Sequence, residues 1–537
     1  MTEFSARTRA ANLDRLASET FDVLVVGGGV VGSGVARDAA TRGLRTALVE
    51  RDDFASGTSG KTSRLVHGGL RYLREYRVGL VRQAVRERDR LLATAPSLVH
   101  PLPFVIPAYR DRRPSSAALR FGLFLYDFLS RDKTVPRRVW LRPGEARMRE
   151  PRLDSNHLRG AGIYYDAWTD DARLVLAIVK DAAAAGAVVA NHAGVAELLR
   201  TDGAVRGARI HDAIRGTSME CRARVIVNAT GVTLDDLRTA TPVPTIRPTK
   251  GIHVFLPRSK VGNREALALT VRKDGRVVFV LPWGDLALVG TTDTDFHGDP
   301  REVLPDASDV DYLLAVVNDA FPDAHVGPED VVSAYAGLRP LLRKGRSDVS
   351  ESEVSREHVT FEDIDGLLSV AGGKLTTHRA MAEDVVDRVA ARLDRRLPCV
   401  TRDRPFGPET RPLGEFSALG LDEPVALHLQ DRTTPHAIRP YLDRPNGRER
   451  LIPDQPHLWA EVELALDEEM ALSLADVLIR RLGLFYVTSD QALGVAGAVA
   501  DRMARFLGWD DATTDREVAA YAEIVRKHRA FRERHGR

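Results

Sequence analysis

Residues 21–50, FDVLVVGGGVVGSGVARDAATRGLRTALVE, decide the fold. Residues 23–26 are an apolar, β-branched run of the kind that forms a strand covered on both faces. Gly27, Gly29 and Gly32 follow in the spacing G-x-G-x-x-G. The first glycine of that spacing makes a tight turn, the second lets a pyrophosphate approach the backbone, and the third lets the next helix pack on the sheet. Residues 31–42 read as that helix, its N-terminal N–H groups aimed at the phosphates. A second strand, Thr46–Val49, ends in Glu50, about 20 residues past the glycines, where an acid binds a ribose hydroxyl. The glycines alone are weak evidence. Strand, helix and acid together predict dinucleotide binding rather than a chance turn.

The 537-residue chain is 44% hydrophobic, enough for a large core and two to four domains. Lys and Arg number 77 against 75 Asp and Glu, so composition gives no reason to expect nucleic-acid binding. Only Cys221 and Cys399 occur, without paired spacing. That argues against a disulfide framework or a metal site and fits a reducing compartment. Residues 1–20 lack the apolar core of a secretory signal, and no run of about 18 apolar residues predicts a membrane span. We expect three regions. Residues 1–20 form a polar, helix-prone extension, and residues 21–400 an oxidoreductase region in which a cofactor domain and a β-rich cap interleave. Residues 401–537 form a helical C-terminal domain, with apolar residues at helical spacing from Trp459 onward.

Two later strands end in small residues. RVIVNATG (224–231) is either a core strand with a tight turn or a strand whose end passes the cofactor; GLLSVAGGKLTT (366–377) places Gly372 and Gly373 before a helix. One N-terminal fingerprint with two such strands suits FAD better than a nicotinamide, and no second G-x-G-x-x-G is present for NADPH. The substrate itself is then the reductant.

Several strings together carry a family resemblance: VVGGGVVGSGVARDAATRGL, KTSRLVHGGLRYL, DARLVLA, VNATG, KGIHV, VGTTDTDFHGDP, AGLRPL and GGKLTTHR. Over about residues 20–500 the chain resembles the FAD-dependent glycerol-3-phosphate dehydrogenases of the bacterial aerobic type. The resemblance implies an α/β fold with a glutathione-reductase-like Rossmann FAD domain, a β-rich substrate cap and an α-helical C-terminal domain. It also implies oxidation of sn-glycerol 3-phosphate to dihydroxyacetone phosphate, with a membrane quinone as acceptor. The helical C-terminal domain is expected to supply a dimer surface or a cap, and the protein to be a homodimer. The protein would sit on the cytoplasmic face of the membrane. Residues expected to hold FAD are Gly27, Gly28, Gly29, Val31 and Gly32; Glu50 and Arg51; Thr58, Ser59, Thr62, Ser63, Leu65, His67 and Gly68; Val195; Ala229 and Gly231; and Gly372, Gly373, Lys374, Leu375 and Thr376. Short hydroxyl side chains such as Ser59 and Ser63 suit the cofactor's pyrophosphate or ribityl chain, or a helix N-cap.

By the same resemblance Arg71, Tyr72, His253, Arg339, Arg356 and Lys374 face the substrate. Arginine's planar fork suits a phosphate dianion. Lys374 either binds substrate oxygen or stabilises negative charge at the flavin. His67 and His253 are the candidate bases, since an ordinary histidine titrates near working pH. Arg339 would also lower the alcohol's pKa, so the catalytic set is Arg339, His67, His253 and Lys374. Thr291, Thr292 and Asp293 read as a structural turn in the cap. Residues 117–129, AALRFGLFLYDFL, lie among Arg110, Arg112, Arg113, Arg131, Lys133, Arg137 and Arg138. An apolar face between basic flanks reads as an anionic-membrane dock or as a core helix with a basic rim. The competing functions are an oxygen-using flavin oxidase of glycerol 3-phosphate or a small amine, and a non-catalytic FAD-binding protein.

Overall fold

A computed structural model of the protein describes residues 4–73, 75–130, 135–238, 245–343 and 358–534. The first strand runs Thr20–Val26 and pairs in parallel with Thr46–Val49 on one side and Thr217–Asn228 on the other. Val23 and Val25 point into one core and Leu24 and Val26 into another, which is why the run carries no polar alternation. Leu368–Ala371 adds in parallel beyond Thr217–Asn228. The three strands that end in glycine-rich turns thus lie side by side, with their C-terminal ends on one edge of an eight-stranded sheet. Helix Val30–Thr41 covers one face together with His378–Arg392 and Asp171–Ala184.

Residues 4–20 are not a separate extension. The expected helix forms at Arg9–Ser18 and packs on the opposite face of this sheet, burying Leu13 and Leu16. Arg9 is buried because its guanidinium donates to the Asn191 carbonyl (2.9 Å) and to Asp212 (2.7 Å). The positions look polar in sequence because the buried guanidinium is satisfied by partners about two hundred residues away.

The second sheet has ten strands and is mostly antiparallel. Ile246–Pro257 lies against Ser333–Leu342 in register, His253 opposite Tyr335 and Thr249 opposite Arg339. The C-terminal part is helical, from Leu413–Ser417 to Asp511–Arg529. It is tied to the first domain by Arg481, which donates to Asp53 (3.0 Å), and by Arg173 on Glu469 (2.7 Å). Arg64 joins all three parts. Its backbone is left-handed (φ 56°), and its guanidinium lies over Trp283 of the cap (4.3 Å) and Tyr486 of the C-terminal helices (4.9 Å). Asp170, 3.8 Å away, balances its charge.

Candidate active site

The turn after the first strand has the shape a pyrophosphate needs. A Cβ on Gly32 would lie 1.9 Å from the Gly27 carbonyl oxygen, and one on Gly27 (φ 109°) would lie 2.6 Å from that of Ala229. No side chain larger than hydrogen fits either place. Gly29 is open except toward Ser59, whose Oγ accepts the Val30 N–H (2.9 Å) and so caps the helix at Val30–Thr41. Val31 follows in that helix's first turn. Glu50 accepts the Gly28 N–H (2.6 Å) at the end of the second strand. Gly194, just before Val195, gives Arg51 room: a Cβ there would lie 2.9 Å from the arginine side chain. Ala229 and Gly231 (φ 65°) end the central strand, and Gly372 and Gly373 are both left-handed at the end of its neighbour. The glycine turns expected to hold the cofactor therefore share the sheet's C-terminal edge, where ligands bind in open α/β sheets.

Other hydroxyls expected on the cofactor bond elsewhere. Thr58 donates to the Leu338 carbonyl (2.6 Å), Thr62 to Asp171 (2.8 Å), and Ser63 meets His253 Nε2 (2.8 Å). The Gly68 N–H turns inward to Tyr126 Oη (3.0 Å) and Asp166 (3.2 Å). The buried Gly68 N–H requires such a partner, and the three half-buried hydroxyls find theirs within the protein as well. Leu65 is buried in the two-residue strand Leu65–Val66. Thr376 Oγ1 accepts the His67 N–H (3.1 Å), which fixes the backbone of the HGG string against the turn containing Leu375.

Between the two sheets lies a cavity of about 1320 Å³, lined by Arg71, Tyr72, His67, His253, Arg339 and Lys374. One cavity thus collects the candidate substrate and catalytic residues apart from Arg356, which lies outside the described residues. Lys374 Nζ sits 3.8 Å from the centre of the Tyr72 ring. Gly69 must be small, because a Cβ there would lie 2.5 Å from that ring. Arg339 donates to Asp293 (2.8 Å), to Thr291 Oγ1 (3.1 Å) and to the Thr292 carbonyl (3.0 Å). Thr291–Asp293 is therefore more than a turn of the cap: it aims the arginine.

His253 is buried with its ring stacked on Tyr335 (centroids 4.8 Å, planes 14° apart). Its other face crosses Gly290, where a Cβ would lie 2.1 Å from the ring. Burial, then the charges of Arg339 and Arg64, push its pKa down to about 3. The expectation of a histidine titrating near neutrality is thus corrected, since desolvation outweighs the ring's ordinary proton affinity. Sequence reasoning missed Tyr335, Asp171 and the cavity-lining cations Arg247 and Arg276. Asp171 and Asp293 stood inside strings already singled out, but only the fold shows which atoms they face.

The helix Ser116–Leu129 buries Leu119, Leu123 and Tyr126 and leaves Phe121, Phe124 and Phe128 half or more exposed. Phe121 and Leu125 also line the cavity. Arg113, Arg120 and Arg137 are exposed, and Arg138 stacks on Phe124 (5.3 Å). Arg112 is not one of the free cations, because it pairs with Asp319 (3.0 Å) over the Tyr109 ring. Arg131 and Lys133 lie outside the described residues. Among the described residues no helix is long and apolar enough to cross a membrane.

Residues 22–388 match the FAD dependent oxidoreductases, and residues 416–514 match the C-terminal domain of alpha-glycerophosphate oxidase. The chain is an FAD-dependent oxidoreductase. It is 40% identical to a glycerol-3-phosphate dehydrogenase of Mycobacterium leprae (strain TN), over 96% of this chain and 89% of that one. It is 33% identical to the aerobic glycerol-3-phosphate dehydrogenase of Bacillus subtilis (strain 168), over 95% of each chain. Its fold matches the X-ray structure of the glycerol-3-phosphate dehydrogenase from Bacillus halodurans complexed with FAD, with a TM-score of 0.82 and 28% identity over 98% of both chains. Within its class the chain belongs to the glycerol-3-phosphate dehydrogenase family.

Proposed function

We propose that this protein oxidises sn-glycerol 3-phosphate to dihydroxyacetone phosphate at FAD and passes the electrons to a quinone while docked on the cytoplasmic face of the membrane. The observation that carries the substrate reading is the convergence of Arg71, Arg339 and Lys374 on one cavity beside a neutral histidine. Three cations suit a small phosphate dianion, and Arg339, pre-aimed by Asp293, loses little freedom on binding it. Bound FAD supplies a hydride acceptor. A neutral His253 is basic enough to take the C2 hydroxyl proton, because that proton becomes the acid of a protonated carbonyl as the hydride departs.

The quinone reading rests on the run of the cavity to Phe121 and Leu125 of the Phe-rich helix. An apolar electron acceptor held in lipid would reach the site from that side. The match to an alpha-glycerophosphate oxidase domain favours oxygen as the alternative acceptor. Steady-state assays of the FAD-loaded enzyme with glycerol 3-phosphate separate the two. Turnover is expected with a quinone analogue and only slowly with oxygen; stoichiometric hydrogen peroxide at an equal rate would establish the oxidase instead. Glycerol, lacking the phosphate, is expected to be a poor substrate, and equal oxidation of glycerol would overturn the phosphate pocket.

A further inference from the structure

We propose that Asp171 is a positioning residue for His253, acting through Thr62 and Ser63. The inference rests on the reading of His253 as the group that faces the substrate alcohol.

Asp171 opens the helix Asp171–Ala184, is buried, and does not line the cavity. One of its oxygens, Oδ2, accepts both the Thr62 N–H (2.9 Å) and the Thr62 hydroxyl (2.8 Å). The Thr62 carbonyl in turn accepts from Tyr335 Oη (2.7 Å). All three polar groups of Thr62 are thereby fixed, and the next residue has little freedom. Its hydroxyl, Ser63 Oγ, lies 2.8 Å from His253 Nε2.

That contact decides something the rest of the pocket does not. The ring is sandwiched between the Tyr335 face and the Gly290 backbone. Flat stacking fixes the plane of an imidazole, but it does not distinguish the ring from its flipped form. A hydrogen bond to one nitrogen does. Ser63 selects Nε2, which commits Nδ1 to the opposite side; Nδ1 is buried with no hydrogen-bond partner among the described residues. Asp171 thus sets the orientation of the His253 ring, with Nε2 rather than the buried Nδ1 turned to Ser63, at a distance of two residues and without lining the cavity itself.

The test is single-turnover reduction of the FAD-loaded enzyme by glycerol 3-phosphate, followed by loss of the oxidised-flavin absorbance and normalised to bound flavin. Asp171→Ala is expected to slow the limiting reduction rate by on the order of tenfold or more, with the half-saturating substrate concentration changed less than about threefold. Asp171→Asn keeps an oxygen that can accept both Thr62 bonds and is expected to recover most of the rate; a merely structural acid would give no such selective rescue. Ser63→Ala should match Asp171→Ala, and the double variant should be no slower than the slower single variant, because both break one chain. An Asn variant as slow as Ala, or losses that multiply in the double variant, would overturn the proposal. Should Asp171→Ala fail to fold, Thr62→Val removes the same hydroxyl bond with little change of shape and must also slow reduction. His253→Ala separates the two levels: wild-type reduction in that variant sinks the reading of the site, whereas a slow His253→Ala beside a fast Asp171→Ala sinks only the inference.

Discussion

Replacing Phe124 and Phe128 together by Ser tests the proposed membrane dock. Both rings are 50% exposed on the outer face of Ser116–Leu129. A Phe side chain carries about 200 Å² of surface, so the pair shows roughly 200 Å² to solvent. At about 25 cal/mol per Å², full immersion would be worth about 5 kcal/mol. An interfacial helix sinks only its apolar crest, which leaves roughly 2.5 kcal/mol, or about a 60-fold change in partitioning. Exposed Arg113, Arg120 and Arg137 add about 1 kcal/mol each near an anionic surface, a contribution that salt screens. Phe121 is left in place because it lines the cavity, and altering it would confound binding with turnover. Co-sedimentation with anionic vesicles is the assay. The double variant is expected to stay in the supernatant under conditions that pellet the wild type, while oxidation of glycerol 3-phosphate with a soluble acceptor continues unchanged. Equal pelleting of the two proteins would refute the dock and leave the exposed phenylalanines unexplained by it.

Gly32→Ala places a Cβ against the Gly27 backbone, which cannot yield, so the purified variant should lack the yellow flavin spectrum; full flavin content would refute the cradle. Arg339→Ala removes charge-assisted bonds worth about 1.5–3 kcal/mol each, so kcat/KM for glycerol 3-phosphate should fall at least about tenfold with FAD retained. His253 binds a proton in the unfolded chain at its ordinary pKa of about 6.5 but in the folded protein only near about 3. Its contribution to stability is therefore complete above the unfolded value and declines as pH falls through this window, by up to about 1.4 kcal/mol per pH unit. Melting temperatures measured from pH 7 down to pH 4 should drop less steeply for His253→Gln than for the wild type, and parallel slopes would contradict the buried neutral ring.

The sheet edge was legible because its signals are local. A strand, three glycines and an acid lie within thirty residues, and the strand Thr46–Val49 forms where the sequence places it. The family strings also located the cavity cations, since Arg71, Arg339 and Lys374 each stand in a distinctive string. What the sequence does not display is pairing across long separations. Nothing in SRLV announces that Ser63 serves His253, 190 residues on, or that Thr62 answers to Asp171. The low proton affinity of His253 likewise depends on burial under Tyr335 and on Arg64 and Arg339, none of them neighbours in the chain. Arg9 looked like part of a polar tail for the same reason: a buried charge is recognisable only when its partner is known.

Arg64 has a consequence for modularity. Its aromatic cage draws one wall from the cap and another from the C-terminal helices, with the counter-charge on the first domain. Cutting the chain in the connector before Leu413 would strip Tyr486 from this cation and leave it half solvated inside an apolar wall. The C-terminal helices are consequently not a detachable accessory, because they supply part of the wall around a cation that the first domain carries. A chimaera that exchanged those helices between relatives would have to carry an aromatic ring to the position of Tyr486, because the arginine belongs to one parent's loop and its wall to the other's helix.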